Sequence, residues 1–203
     1  MAMLRGSADN MARAFMVPLA IGALTACAGE TPAPANVVAS SCGHAHNDYE
    51  HPEPLTEALS RGFCSVEADV FLEGDELLVA HFQSQIEPDR TLQSLYLDPL
   101  RAHVAAHGVA YRPDTPLVLL IDVKSDATPT YARIHEVLSD YADILTTWEG
   151  EDTTAGAVTA IISGNRDREA MEAQPLRYAA MDGRLEDLGD GRSRIPLVSS
   201  SSS

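Results

Sequence analysis

An α/β fold of repeated strand-helix units is what the amino-acid sequence predicts, on three observations. From Val37 onward, short apolar runs alternate with amphipathic stretches, the pattern of β-α repeats rather than of a sandwich. The run Leu117–Val123, Leu-Val-Leu-Leu-Ile-Asp-Val, is almost continuously apolar, as a parallel strand covered on both faces must be. Chemistry-bearing residues fall at the C-terminal ends of these runs, the end at which α/β barrels build their sites.

At 203 residues the chain has room for one domain with a sizeable core plus a targeting segment, and none for two large domains. Hydrophobic residues at 45% and charged residues at 22% exclude a disordered chain and a polytopic membrane protein. The 30 acidic against 14 basic residues give a formal net charge of -16, so no nucleic-acid partner is expected. An acidic chain that handles phosphates must concentrate positive charge locally, as a metal ion or a few placed Lys and Arg side chains.

Residues 1–27 read as a lipoprotein-type signal peptide. Arg5 and Arg13 precede an apolar stretch from Ala14 to Thr25 that is too short to span a membrane. Leu24-Thr25-Ala26-Cys27 resembles the lipobox of bacterial lipoproteins, in which the cysteine is acylated. The expectation is an exported protein of the bacterial cell envelope, anchored to a membrane by lipid on Cys27, with residues 28–36 as a flexible tether. Strand parity places Cys42 and Cys64 in different layers, so two buried free thiols are expected rather than a disulfide.

The folded part, residues 37–203, begins with a strand over Val37–His44 and a short helix over Pro52–Arg61, with Leu55 and Leu59 on one face and Gly62 as its stop. Phe63–Val70 is the second strand, and Glu73-Gly74-Asp75-Glu76 turns it into a hairpin arm, Leu77–His81. Asp98-Pro99 opens a helix that runs to Gly108. Leu117–Val123 is the third main strand. Thr128-Pro129 opens a helix whose apolar face is Tyr131, Ile134, Leu138, Tyr141 and Leu145. Ala157–Ser163 is the fourth main strand, Arg168–Ala173 a helix, Arg177–Met181 the fifth strand and Ile195–Ser199 the sixth.

Three pairs of polar residues carry the functional signal. His44 and His46, Glu67 and Asp69, and Asp122 and Lys124 are each two residues apart, so each pair lies on one face of an extended chain. All three sit at the C-terminal ends of consecutive main strands. Converging buried charges are costly unless they are paired or bind metal. Glu67, Asp69 and Asp122 are hard oxygen ligands and suit one divalent cation, Mg²⁺ or Ca²⁺, rather than zinc. His81, at the end of the hairpin arm, is placed to form an acid/base pair with His44 or His46, and Lys124 to contact a substrate phosphate. His103 and His107 have i,i+4 spacing but lie on a solvated helix face; His51 and His135 read as surface residues. Asp182 ends the fifth strand, where it either points into the mouth or serves as the turn residue of an Asp-Gly pair, and it stays outside the site residues.

Four blocks in order, His44-Ala45-His46-Asn47-Asp48-Tyr49, Ser65-Val66-Glu67-Ala68-Asp69-Val70, Val79-Ala80-His81 and Leu120-Ile121-Asp122-Val123-Lys124, resemble the active-site blocks of the glycerophosphodiester phosphodiesterase and phosphatidylinositol-specific phospholipase C superfamily. The first block is most similar to the altered inheritance of mitochondria protein 6 branch. The resemblance runs from about Cys42 to Ser199. It implies a (β/α)₈ TIM-type barrel, one divalent metal on Glu67, Asp69 and Asp122, and a phosphodiester substrate cleaved by two histidines through a cyclic phosphate. His81 matches the second histidine; the first is His44 by its spacing to Asn47, or His46.

Two rival readings are an amidohydrolase-like metal hydrolase built on His-x-His and a catalytically silent envelope lipoprotein. The first needs further histidines on later strands, and none follows His135. A closed barrel of this type has eight strands in about 250 residues. With six strands legible, a barrel incomplete at its C-terminus is expected, leaving inward-facing residues such as Val118 and Leu120 exposed.

Overall fold

The structure is a computed structural model and describes residues 42–183 together with Leu197 and Val198. All of them belong to the second of the two units into which the chain divides, Val38–Ser203. In chain order the strands are β1 (His44–Ala45), β2 (Ser65–Glu73), β3 (Glu76–Val79), β4 (Leu117–Val123), β5 (Thr147–Glu149), β6 (Asp152–Thr154), β7 (Val158–Gly164), β8 (Leu176–Arg177), β9 (Ala179–Gly183) and β10 (Leu197–Val198). The helices are α1 (Thr56–Ser60), α2 (Asp98–His107), α3 (Ala127–Ser139) and α4 (Arg168–Ala173).

One seven-stranded sheet runs in the order β1-β2-β4-β7-β9-β10, with β3 added to β2. Every neighbour along that path is parallel, and only the β2-β3 hairpin is antiparallel. Parallel neighbours need crossovers, which α1, α2, α3 and α4 supply. This is a mixed α/β fold with a mostly parallel sheet. The six main strands expected from the sequence are the six on the parallel path. Among the described residues the sheet does not close on itself.

Strand parity sorts the apolar residues into two clusters. Val66, Ala68, Leu119, Ile121, Ala160 and Ile162 face the helices and join Leu100, Ile134, Leu138 and Met171 in the main core. On the opposite face Leu120, Ile161 and Ala180 pack with Trp148, and Val118 packs against them. Asp122 lies two residues beyond Leu120, so the carboxylate-bearing end of that face begins where its apolar packing stops.

Several expectations need correction. The first strand is only His44–Ala45 among the described residues; Val37 to Ser41 lie outside them. The first helix shrinks to α1, because the buried Asp48 carboxylate accepts the Leu55 N–H at 2.6 Å and holds Leu55 at φ 61°. Helix α3 stops at Ser139. Tyr141 and Leu145 keep their place in the core from the following turns, where Leu145 bridges to Val158. Arg177 is not in the fifth parallel strand; it belongs to β8, which pairs with β5 in a small second sheet of order β6-β5-β8. That sheet carries Trp148, so Leu120 is only 8% exposed and Val118 is partly covered rather than both lying bare.

Cys42 and Cys64 form a disulfide, with Cα atoms 5.2 Å apart. The parity argument for two free thiols fails because Cys42 precedes β1 and is not held to the alternation of a strand. The Cys64 N–H donates to the Gly43 carbonyl at 3.2 Å, which brings the two cysteines alongside each other.

Candidate active site

The site is assembled from one face of three neighbouring strands and the turn after the first; Glu67 and Asp69 lie within β2 rather than at its end, because the strand runs on to Glu73 to pair with β3. Register puts His44 opposite Ser65, Glu67 opposite Leu120, and Asp69 opposite Asp122. Alternation then aims His44, Glu67, Asp69, Asp122 and Lys124 from one face. One oxygen from each of Glu67, Asp69 and Asp122 lies within 4.8 Å of the others.

The turn after β1 wraps over these carboxylates. Asn47 takes a left-handed conformation, φ 50° and ψ 41°, which asparagine tolerates better than most residues. Its backbone N–H thereby donates to Glu67 Oε2 at 3.1 Å. His46 Nε2 lies 3.5 Å and His44 Nε2 3.7 Å from the same oxygen, while His44 Nδ1 is 2.8 Å from Ser65 Oγ. Burial pushes the Glu67 carboxyl up, but His44, the Asn47 N–H and the charge of His46 outweigh it and hold Glu67 below its ordinary value.

Tyr49 is buried under the site. Its hydroxyl donates to Asp69 Oδ2 at 2.8 Å and lies 3.1 Å from Asn47 Oδ1 and 3.2 Å from His81 Nδ1. His81 Nδ1 is itself 3.2 Å from Asp69 Oδ2. His81 is therefore fixed through Nδ1 by Asp69 and Tyr49, which leaves Nε2 for other partners. The Tyr96 hydroxyl donates to Asp48 Oδ2 at 3.1 Å and ties the turn to the π-helical stretch Gln93–Leu97.

Lys124, expected as a phosphate contact, is held by the carboxylates: Nζ pairs with Asp122 Oδ2 and with Asp69 Oδ2, the latter at 3.1 Å. Burial pushes the ammonium down, but Asp122 and Asp69 raise it further, so it stays charged. Burial, opposed by Lys124 and reinforced by the charges of Asp69 and Glu67, raises the Asp122 carboxyl above its ordinary value. Three crowded carboxylates thus face one ammonium, and Asp69 Oδ1 is buried with no hydrogen-bond partner. An all-oxygen, electron-rich donor set with an orphaned carboxylate oxygen fits a hard divalent cation.

The sequence-predicted residues His44, His46, Glu67, Asp69, His81, Asp122 and Lys124 are brought together. His103 and His107 stack on each other at 4.2 Å on α2, away from this cluster. Tyr49 and Asn47 lie inside the first sequence block without a role read from them; a tyrosine two residues after an asparagine carries no periodic signal. Asp182, kept outside the site residues, is buried near the end of β9 and accepts the Ser163 hydroxyl at 2.9 Å. Only the pairing of β7 with β9 brings those two residues side by side.

A mostly parallel α/β domain with histidines and carboxylates gathered towards the C-terminal side of its parallel pairing has the layout of an enzyme that builds its site at that side of the sheet. Residues 32–181 match the family model of the AIM6-like phosphodiesterase domain, and the chain belongs to that family. The relatives include altered inheritance of mitochondria protein 6 of Eremothecium gossypii, 34% identical over 185 residues, covering 78% of this chain and 48% of the relative. The homolog from Arthroderma benhamiae is 34% identical over 185 residues, 78% of this chain and 58% of its own. The Lachancea thermotolerans protein is 33% identical over 190 residues, 78% and 44% respectively. The chain spans about half the length of these relatives. No solved structure matches. The family supports phosphodiesterase activity at that level of description.

These relatives are fungal, which overturns the bacterial cell-envelope location, the lipid anchor on Cys27, the membrane partner reached through it and the lipoprotein-type signal peptide. Acylation at a lipobox is a bacterial modification, so Leu24-Thr25-Ala26-Cys27 carries no such meaning beside fungal relatives. Cys27 itself lies outside the described residues. No helix among the described residues is long and apolar enough to cross a membrane.

Proposed function

We propose that this chain is a metal-dependent phosphodiesterase that cleaves a glycerophosphodiester- or phospholipid-like substrate by histidine acid/base catalysis, on a sheet that forms the larger part of a (β/α)₈ barrel. The observation that carries the reading is the convergence of Glu67, Asp69 and Asp122 with His44, His46 and His81 anchored on those same carboxylates. The donor set contains no histidine among the described residues, which favours Mg²⁺ or Ca²⁺ and disfavours the amidohydrolase-like alternative.

Glu67, Asp69 and Asp122 would hold the cation, which when bound supplies positive charge against the phosphoryl oxygens. His81, held through Nδ1, presents Nε2 to take the proton of the attacking hydroxyl as its oxygen bonds to phosphorus. His44 or His46 gives a proton to the departing alkoxide as the second phosphorus–oxygen bond breaks. His44 is the better-held of the two, since Ser65 fixes its Nδ1 and its side chain is 39% exposed against 71% for His46. Lys124 stabilises phosphoryl charge once a cation takes over its carboxylate partners.

The test is hydrolysis of generic and glycerol-based phosphodiesters by the full chain with Mg²⁺, Ca²⁺ or chelator. Activity lost in chelator and restored by one of the cations is expected, with His81→Ala slower by roughly 10²–10⁴-fold. Turnover that is indifferent to chelator, or near-normal turnover in His81→Ala, refutes the mechanism.

A further inference from the structure

We propose that Gly164 is the positioning residue for the Asp122 carboxylate, and that the space left by its missing side chain is what allows the three carboxylates to converge. The proposal rests on the cation reading given above and adds a residue that supplies no ligand atom and no charge. Gly164 ends β7 and pairs in parallel register with Val123 of β4, one residue beyond Asp122. It has a left-handed φ of +67°.

A Cβ built on Gly164 would lie 2.0 Å from Asp122 Oδ1, 2.5 Å from the Val123 carbonyl oxygen and 2.9 Å from the Val123 nitrogen. All three distances are far inside van der Waals contact, so something must move. The strand is poorly placed to do so: the Val123 carbonyl accepts the Asn165 N–H at 2.9 Å, and β4 is paired on both sides, with β2 and β7. The Asp122 side chain, held on its other oxygen by Lys124, is the group that can swing, and its displacement takes a carboxylate out of the 4.8 Å cluster.

The other described glycines separate the two properties that Gly164 combines. Gly74, at φ +62°, and Gly150, at φ +59°, have open space where a Cβ would go, so glycine there serves the backbone turn alone. Gly156 would bring a Cβ to 2.2 Å from the Leu145 carbonyl carbon, a clash with backbone that includes no site residue. Among the described glycines, Gly164 is the one that joins a left-handed φ to contact with a site carboxylate.

The experiment compares Gly164→Ala with Gly74→Ala, matched for φ, and Gly156→Ala, matched for steric clash. Titration calorimetry with Mg²⁺ and with Ca²⁺ should show a dissociation constant raised roughly 10–100-fold in Gly164→Ala, the size of effect of residues that orient metal ligands. The two controls should bind as the wild type does. A Gly164→Ala affinity equal to that of the controls overturns the proposal.

Melting curves in chelator supply a readout that needs no cation. Gly164→Ala should lower the melting temperature more in the wild-type background than in an Asp122→Ala background, where the closest clash is gone. Equal losses in both backgrounds overturn the positioning role. If Gly164→Ala fails to fold, rescue by Asp122→Ala supports the proposal, and failure of rescue assigns the glycine to the backbone alone and overturns it. A wild-type chain that takes up neither cation sinks the cation reading of the site, and the melting comparison then decides the Asp122 contact by itself.

Discussion

Tyr49→Phe removes one oxygen from the centre of the site and leaves the ring in the core. The tyrosine hydroxyl has one proton and three neighbours, and the charged acceptor, Asp69 Oδ2 at 2.8 Å, takes it in preference to Asn47 Oδ1 at 3.1 Å. Asp69 is 1% exposed, and its other oxygen already has no partner. After the substitution Asp69 Oδ2 keeps only His81 Nδ1 at 3.2 Å and Lys124 Nζ at 3.1 Å. A hydrogen bond to a charged group contributes about 1.5–3 kcal/mol. For a chain of this size each kcal/mol moves the midpoint by about 2–4 °C, so a fall of roughly 3–12 °C is expected at pH 7. Burial first, then the Asp69 hydrogen bond and the charges of Asp69, Glu50 and Glu67, push the Tyr49 hydroxyl well above its ordinary value. A group raised on folding contributes stability that is complete below its unfolded pKa and is lost as pH rises. The gap between wild type and variant should therefore be level from neutrality to about pH 9 and narrow above about pH 10. Differential scanning calorimetry in chelator over that range measures both effects. A variant within about 1 °C of wild type at pH 7, or a gap that widens in alkali, refutes the placement of Tyr49 on Asp69.

Reducing the Cys42–Cys64 disulfide, whose cysteines are 22 residues apart, should cost about 3 kcal/mol through the freed unfolded chain. Urea midpoints of wild type with and without reductant, and of Cys42→Ser, check this; insensitivity to reductant refutes the bridge. Glu67 is held below its ordinary value, so its contribution is present above about pH 4.3 and is lost as pH falls through the carboxylate range. Thermal melts of wild type and Glu67→Gln in chelator should accordingly converge as pH falls below about 4, and a gap that grows with acid counts against the His44, His46 and Asn47 contacts.

What the sequence by itself determined was set by short-range periodicity. A two-residue repeat puts Glu67 with Asp69, and Asp122 with Lys124, on one face whatever the rest of the chain does, and apolar runs split by amphipathic stretches require parallel strands with helical crossovers. The α/β class, the six main strands and six of the seven site candidates follow from that; His81 was legible from its place at the end of the hairpin arm. Tertiary structure alone decided what depends on register and on turns. The opposition of Asp69 to Asp122 is a property of the β2-β4 pairing, and it is this that draws Lys124 onto two carboxylates. Tyr49 reaches Asp69 because the left-handed Asn47 turns the chain back over the strand ends, and Cys42 reaches Cys64 because it lies before the strand whose parity forbids the pair. Trp148 covers Leu120 from a sheet of three strands, each of three residues or fewer and too short to show a period, and Gly164 accommodates Asp122 from a neighbouring strand. Each of these contacts joins residues distant in sequence through backbone conformations or strand neighbours that no local pattern of apolar and polar residues encodes.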